Sequence, residues 1–447
     1  MIFLASEISL DQISNFKENF KDRKDSKVIE RAVTHQGILA TSADFESDRK
    51  MDPTFSIDLS TGKVPDQKQS GRCWMFAALN TMRHHLMNDL KVEDGFELSQ
   101  NFTNFWDKFE KSNYFLENVL KTANQPLDSR KVAWLMETPQ QDGGQWDMLC
   151  ALIEKYGIVP KYAMPETFNS EKSAQLNKFL NLKLRHDAII LRKMVSDNQS
   201  KDQINSKKNA MLSDIYRMLV YSLGEPTDKF DFEYRDKDKN YHIDRNITPK
   251  QFYEKYIKLD LEDYVSFINA PTKDKPYHKT YTIEMLGNVV NGRPVKHLNL
   301  PMDTLKQLVI KQLQNGESVW FGSDVGQSSN SKKGIMDTKL YAPDELFDTD
   351  LTLSKAQRLD YSESLMTHAM VITGVDLVDG KPTKWKVENS WGEKVGTKGY
   401  FVMSDSWMNE FVYQFVINKK YLPKDILEEQ KQEPKVLLPW DPMGALA

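Results

Sequence analysis

The chain has 447 residues, 40% of them hydrophobic and 28% charged, with a formal net charge of -4. This is an ordinary composition for a soluble globular protein with room for two or three lobes, and it gives no electrostatic reason to expect a nucleic-acid partner. The only cysteines, Cys73 and Cys150, are too few for a disulfide framework and point to a reducing, cytoplasmic setting.

The opening MIFLASEISLDQ has an apolar part too short for a signal sequence, and no basic stretch precedes it. No apolar run nears the ~20 residues that span a bilayer. Residues 1–60 are polar and mixed, and read as an arm packing on a core built later. From Ser70 an apolar stripe runs through Met75, Leu79, Met82 and Leu86 at helical spacing. The stretch 99–123 continues in helical style. A turn follows at 137–139, and QQDGGQWDMLCALIEKYG then carries a glycine pair into another helix.

Residues 171–285 read as a mostly helical insertion into a helical lobe at 61–170. Met211, Ile215, Met218 and Leu219 mark a helix face, 230–244 looks like a charged hairpin, and Thr248-Pro249 is a helix start. The slight basic excess here is a solvated face rather than a groove for nucleic acid. A helix at 303–315 opens the last lobe, 286–430. Short strand-like runs follow: SVWFGSDV, HAMVITGVDLV, KWKVENSW, GYFVMS and FVYQFVINKKYL. Such spacing suggests a barrel or a curled sheet, so the fold class is α+β.

Cys73 stands at the polar start of the first helix. Unpaired N–H groups and the positive end of the helix dipole favour thiolate there, and thiolate is the nucleophile. The plain alternative is a structural cysteine, so a partner base is needed. His84 and His85 lie on the same helix, roughly 16 Å along it at 1.5 Å per residue, too far to share a proton. His35, His186, His242, His278 and His297 fall in polar or loop contexts that suit surface or packing roles. His368 instead opens the apolar strand THAMVITGV, where a rigid strand end can hold a base. Asn389 closes the strand-like VENSWG, and its carbonyl oxygen can accept from an imidazole. Trp391 is placed to cover that bond. Taken alone, NSWG would also suit a turn.

Together SGRCW, THAM and NSWG, in the order Cys, His, Asn, resemble the papain-like cysteine peptidases. The resemblance implies that Gln67, six residues before Cys73, stabilises an oxyanion with the Cys73 N–H. It also implies that Gly143 and Gly144 line the cleft where substrate backbone lies. Cysteines that pair in secreted relatives are replaced by Ser70 and Gln141. Thr367 stands where many relatives have Asp, which leaves the surroundings of His368 open. QKQSGRCW, LMTHAM and VENSWGEKVGTKGYF are most similar to the branch of bleomycin hydrolase and bacterial aminopeptidase C. That branch implies a two-lobe core, a ring-shaped homohexamer and a C-terminal arm in the active-site cleft.

The tail PKVLLPWDPMGALA is apolar, proline-broken and nearly uncharged, unlike a disordered tail. Residues 431–447 are therefore expected to enter the cleft. The Ala447 carboxylate would meet a substrate's α-ammonium, unless trimming passes that role to Leu446. The expected activity is that of a cysteine aminopeptidase acting on peptides with a free N-terminus, through a thioester. Cys73, His368, Asn389 and Gln67 would be catalytic; Gly143, Gly144, Trp391 and Ala447 would face substrate. No metal or cofactor is implied. The alternatives are an open-cleft endopeptidase and, from another class, a nucleic-acid-binding scaffold using the basic insertion.

Overall fold

The computed structural model describes residues 7–90 and 95–447. The apolar opening residues 1–6 lie outside the described residues. Two compact units emerge, one from the described residues up to Lys50 with Thr338–Thr352, the other from Met51–Asp337 with Leu353–Ala447.

The smaller unit is helical, with Leu10–Asp22, Ser26–Gln36, Ile38–Thr41, Phe45–Lys50 and Pro343–Phe347. Its first helix is fixed by a reciprocal cap in which the Ser9 hydroxyl accepts from Gln12 N–H and the Gln12 side chain accepts from Ser9 N–H. The expectation of a polar arm over 1–60 is thus corrected. Amphipathic helices fill most of it, and the unit ends at Lys50. Residues 57–58 instead pair with the strand His368–Val378.

The larger unit has a helical lobe and a sheet lobe. Cys73–Leu90 runs through the helical lobe with Met75, Leu79, Met82 and Leu86 all buried, as the stripe predicts. Gln100–Lys121 and Trp146–Tyr156 pack near it. Ala174–Ser196 and Lys201–Leu223 form the body of the insertion. Leu176, Leu180, Leu184, Met211, Ile215 and Leu219 bury against Phe102, Phe105 and Leu116. The charged hairpin is present as Phe230–Arg235 paired with Tyr241–Ile247.

The insertion's expected limit at 285 overshoots. Tyr264–Ile268 and Lys279–Ile283 belong to the main sheet, and Tyr264–Ile268 pairs with Val412–Asn418. Their apolar runs are too short to separate from buried helix by periodicity alone. At the sheet's centre Val412–Asn418, Val319–Ser323, His368–Val378, Lys381–Glu388 and Tyr400–Ser404 follow one another in antiparallel order. Except for the exposed first half of Lys381–Glu388, these strands are nearly continuous in burial, because helix Met302–Gln314 covers one face and the Cys73–Leu90 lobe meets the other.

Candidate active site

The loop before Cys73 is pre-set by buried polar contacts. The Arg72 guanidinium makes a two-pronged pair with Glu166, at 2.9 and 3.2 Å, and its Nε donates to Ser70 Oγ at 3.0 Å. Arg72 O accepts from Met75 and Phe76 N–H, so the helix starts with Cys73 as its first residue. Cys73 is buried, and Ala369 N–H donates to its Sγ at 3.5 Å. The thiol therefore sits against the first residues of the strand that His368 opens.

His368 Nε2–H donates to Asn389 Oδ1 at 2.8 Å. The same oxygen accepts Ser390 N–H at 2.8 Å, which assigns the oxygen and the nitrogen of that side chain. This bond puts the ring proton on Nε2 and leaves Nδ1 with the lone pair. The Trp391 ring lies 4.8 Å from the imidazole, centroid to centroid, tilted by 35°. It thus packs on the histidine.

Burial pushes the Cys73 thiol up to about 11, although the N–H groups of Ala369, Trp74 and Cys73 itself favour thiolate. Burial pulls His368 down to about 4, against the bond to Asn389. Burial thus disfavours the charged form of each group taken alone.

Gln67 bridges the two lobes. Its N–H donates to Ser390 O at 2.8 Å, its Oε1 accepts from Ser390 Oγ at 2.5 Å, and its Nε2 donates to Ser70 O at 2.6 Å. The second Nε2 hydrogen is left for another acceptor. Across the cleft, Gly144 N–H donates to Ala447 O at 3.2 Å and Ala447 N–H donates to Gly144 O at 3.3 Å. A methyl on Gly143 would lie 2.8 Å from Ala447 O and from Leu446 Cβ. Only glycine lets the arm come this close.

The arm is held along its length. Residues Lys435–Leu437 add a parallel strand beside Lys279–Ile283, Asp441 pairs with Lys275 at 3.0 Å, and Arg130 stacks 4.0 Å from the Trp440 ring centroid. Leu437 and Met443 are buried, whereas Val436 and Leu438 stay exposed. Beside the arm lies a cavity of about 460 Å³ lined by Tyr114, Trp134, Leu286, Leu365, Trp440 and Leu446.

Several residues of the site carry no sequence signal. Gln145 Nε2 donates to Met443 O at 3.1 Å and Ala445 O at 2.9 Å. Asp142, just before the glycine pair, accepts from Gly71 N–H at 3.0 Å, Lys108 Nζ at 2.7 Å, Asn177 Nδ2 at 2.8 Å and Ser173 Oγ. Burial would raise this carboxyl, but Lys108 and the other donors hold it well below the usual range. Trp74 Nε1 donates to Asp142 O at 2.8 Å. Asp142 thus ties the Cys73 loop to the glycine wall.

The sequence profile of the Peptidase C1-like family matches residues 7–444. A protein named aminopeptidase C from Lactobacillus helveticus is 57% identical over 99% of both chains. One of the same name from Listeria innocua is 53% identical over 99% of this chain and 100% of its own. The crystal structure of PepW from Lactobacillus rhamnosis HN001 superposes with a TM-score of 0.98 at 64% identity, covering 99% of this chain and 100% of that one.

Proposed function

We infer that, because this chain belongs to the Peptidase C1-like family and is a cysteine aminopeptidase, Cys73 is its nucleophile, His368 its base and Asn389 the group that orients the imidazole. His368 Nδ1 takes the thiol proton, and Cys73 Sγ attacks the carbonyl carbon of the first peptide bond. The oxyanion is met by the Cys73 N–H and the free Nε2 hydrogen of Gln67. The imidazolium then gives its proton to the departing amine, leaving a thioester. Water, deprotonated by His368, cleaves the thioester and returns the proton to sulfur. The 2.8 Å bond from His368 Nε2 to Asn389 Oδ1 supports this assignment, since it turns Nδ1 out as the basic nitrogen.

The preference for free N-termini is carried by one observation, the paired hydrogen bonds between Ala447 and Gly144. The arm occupies the glycine wall with its own backbone, as an extended substrate would. A peptide therefore has room for one residue ahead of the bond facing Cys73. A carboxylate at Ala447 attracts that residue's α-ammonium (pKa ~8) in a cleft of low dielectric. Gly143 lets the arm sit close, Gly144 meets it through the backbone bonds to Ala447, and Trp391 keeps water from the imidazole.

Two broader readings go with this one. We propose a homohexamer, on the resemblance to bleomycin hydrolase, and a cytoplasmic location, which two free and buried cysteines support. Among the described residues no helix is long and apolar enough to cross a membrane. The test of the arm is removal of residues 444–447 followed by assay on acetylated and free peptides. The intact enzyme should act on free N-termini alone, and the shortened enzyme on both. Equal cleavage of both by the intact enzyme would reject the arm's role.

A further inference from the structure

Asp324 follows the strand Val319–Ser323, in which Ser323 is the register partner of His368. It is buried, and its N–H donates to Phe411 O at 3.0 Å. Its carboxylate faces the residues leading into His368. Oδ1 accepts from Thr367 Oγ1 at 3.1 Å, and Oδ2 accepts from Ser364 Oγ at 2.8 Å and from Gln327 Nε2 at 3.2 Å. Tyr413 OH donates to Ser364 Oγ at 2.7 Å, so the Ser364 hydroxyl is oriented toward the carboxylate.

The backbone contributes less here than the side chains do. The paired ladder begins at His368, and residues 364–367 before it have two main-chain ties, Ser364 N–H to Arg358 O at 3.3 Å and Thr367 N–H to Ser323 O at 3.0 Å, of which only the second reaches the sheet. Met366 packs on the same strand, so that a methyl on Gly322 would lie 2.1 Å from its sulfur. Leu365 lines the cavity beside the arm. An acceptor-only group with two oxygens can hold two hydroxyls and an amide at once, which neither an amide nor an apolar side chain can do. A buried carboxylate is retained only where such donors meet it.

We propose that Asp324 is a positioning residue for His368, anchoring residues 364–367 through Ser364 and Thr367 and so fixing where the imidazole leaves its strand. The proposal rests on His368 being the base. It answers what Thr367 does in place of an acid. Thr367 supplies a donor, and the carboxylate arrives from the neighbouring strand.

The test uses the full-length enzyme. Thr367→Val removes the hydroxyl at nearly constant shape, Thr367→Ser keeps it, and Asp324→Asn removes one acceptor. A small misplacement of a base lowers turnover strongly, so Thr367→Val and Asp324→Asn should each reduce kcat by about 10-fold or more with KM within about 2-fold. Alkylation of Cys73 by iodoacetamide should slow in proportion. Thr367→Ser should retain most of the wild-type rate, and the double variant should be no worse than the poorer single one, since both break one contact. Wild-type turnover in Thr367→Val, losses that multiply, a KM change as large as that in kcat, or failure of Thr367→Ser to rescue would each overturn the proposal. His368→Ala with intact turnover would instead overturn the base assignment. Should Asp324→Asn fail to fold, the two Thr367 variants decide the matter.

Discussion

Gly143 and Gly144 are adjacent yet face different neighbours: a side chain on the first would strike the arm at Leu446 and Ala447, and one on the second would strike Trp74 at 2.5 Å. Trp74 is fully buried next to Cys73, and its indole N–H is committed to Asp142 O. The arm is edge material by comparison. Gly143→Ala should therefore displace the arm while leaving the core intact. Its unfolding midpoint should stay near wild type, and cleavage of acetylated peptides should appear. Gly144→Ala should overpack the core by about 1–3 kcal/mol and lose activity toward every peptide. Denaturant unfolding and a paired assay on free and acetylated peptides separate the two. Identical behaviour would contradict the division of roles.

In the proposed mechanism Asn389 and Gln67 make separable contributions. A hydrogen bond to a group that becomes charged is worth about 1.5–3 kcal/mol, so Asn389→Ala should lower kcat by about 10- to 100-fold at little change in KM. Gln67 has two jobs. Its Oε1 receives the Ser390 hydroxyl, next to Asn389, while its Nε2 carries the hydrogen available to the oxyanion. Gln67→Glu keeps an acceptor for Ser390 and removes the donor, and should cost about 100- to 1,000-fold in kcat. Steady-state kinetics on one free-amine substrate checks both.

The order of the strands, the helix at Cys73 and the strand ends that carry His368 and Asn389 were legible in sequence because each rests on a local pattern. A 3.6-residue stripe announces the helix, and His368 and Asn389 each terminate an apolar run whose end the structure also makes a strand end. What was not legible depends on partners remote in the chain. Residues 1–60 read as an arm because their helices are so exposed that Leu10–Asp22 buries no residue at all. The strand Tyr264–Ile268 was absorbed into the insertion because its identity comes from Val412–Asn418. Asp142, Gln145 and Asp324 are single polar residues in unremarkable contexts. Their roles are defined only by which donors and carbonyls the fold brings to them.

Glu388, the residue before Asn389, is fully buried and ties the sheet to the Cys73 helix. Its Oε1 accepts from Arg83 at 2.9 Å and Asn80 at 2.8 Å, and its Oε2 pairs with His84 Nε2 at 2.9 Å. Burial would raise this carboxyl, but His84 and Arg83 hold it below its ordinary value. Its stabilising contribution is thus present above the unfolded-state value near 4.3 and is lost as pH falls through the lower folded value. Arg83→Ala would remove the permanent cation and leave the buried carboxylate to Asn80 and His84, and should cost about 3–5 kcal/mol, whereas Arg83→Met with Glu388→Met should cost less than either single change. Urea unfolding at pH 7 checks the order; a double variant less stable than both singles would contradict it.

Asp147 gives the opposite pH signature. It sits in the first turn of Trp146–Tyr156, where burial raises its carboxyl to about 7 despite the Lys296 N–H at 3.2 Å and the Arg293 guanidinium at 3.9 Å. A folded-state value above the unfolded one, near 3.9, means the contribution to stability is full below pH 3.9 and is lost as pH rises through 7. Asp147→Asn keeps an acceptor for Lys296 and removes the charge. At about 1.4 kcal/mol per pKa unit, it should become more stable relative to wild type as pH rises from 4 to 8, by up to ~4 kcal/mol. Unfolding measured across that range should show the two curves diverging upward with pH. Parallel curves would mean that Asp147 titrates in the folded protein as it does in the unfolded chain, and that burial at the head of this helix carries no electrostatic penalty.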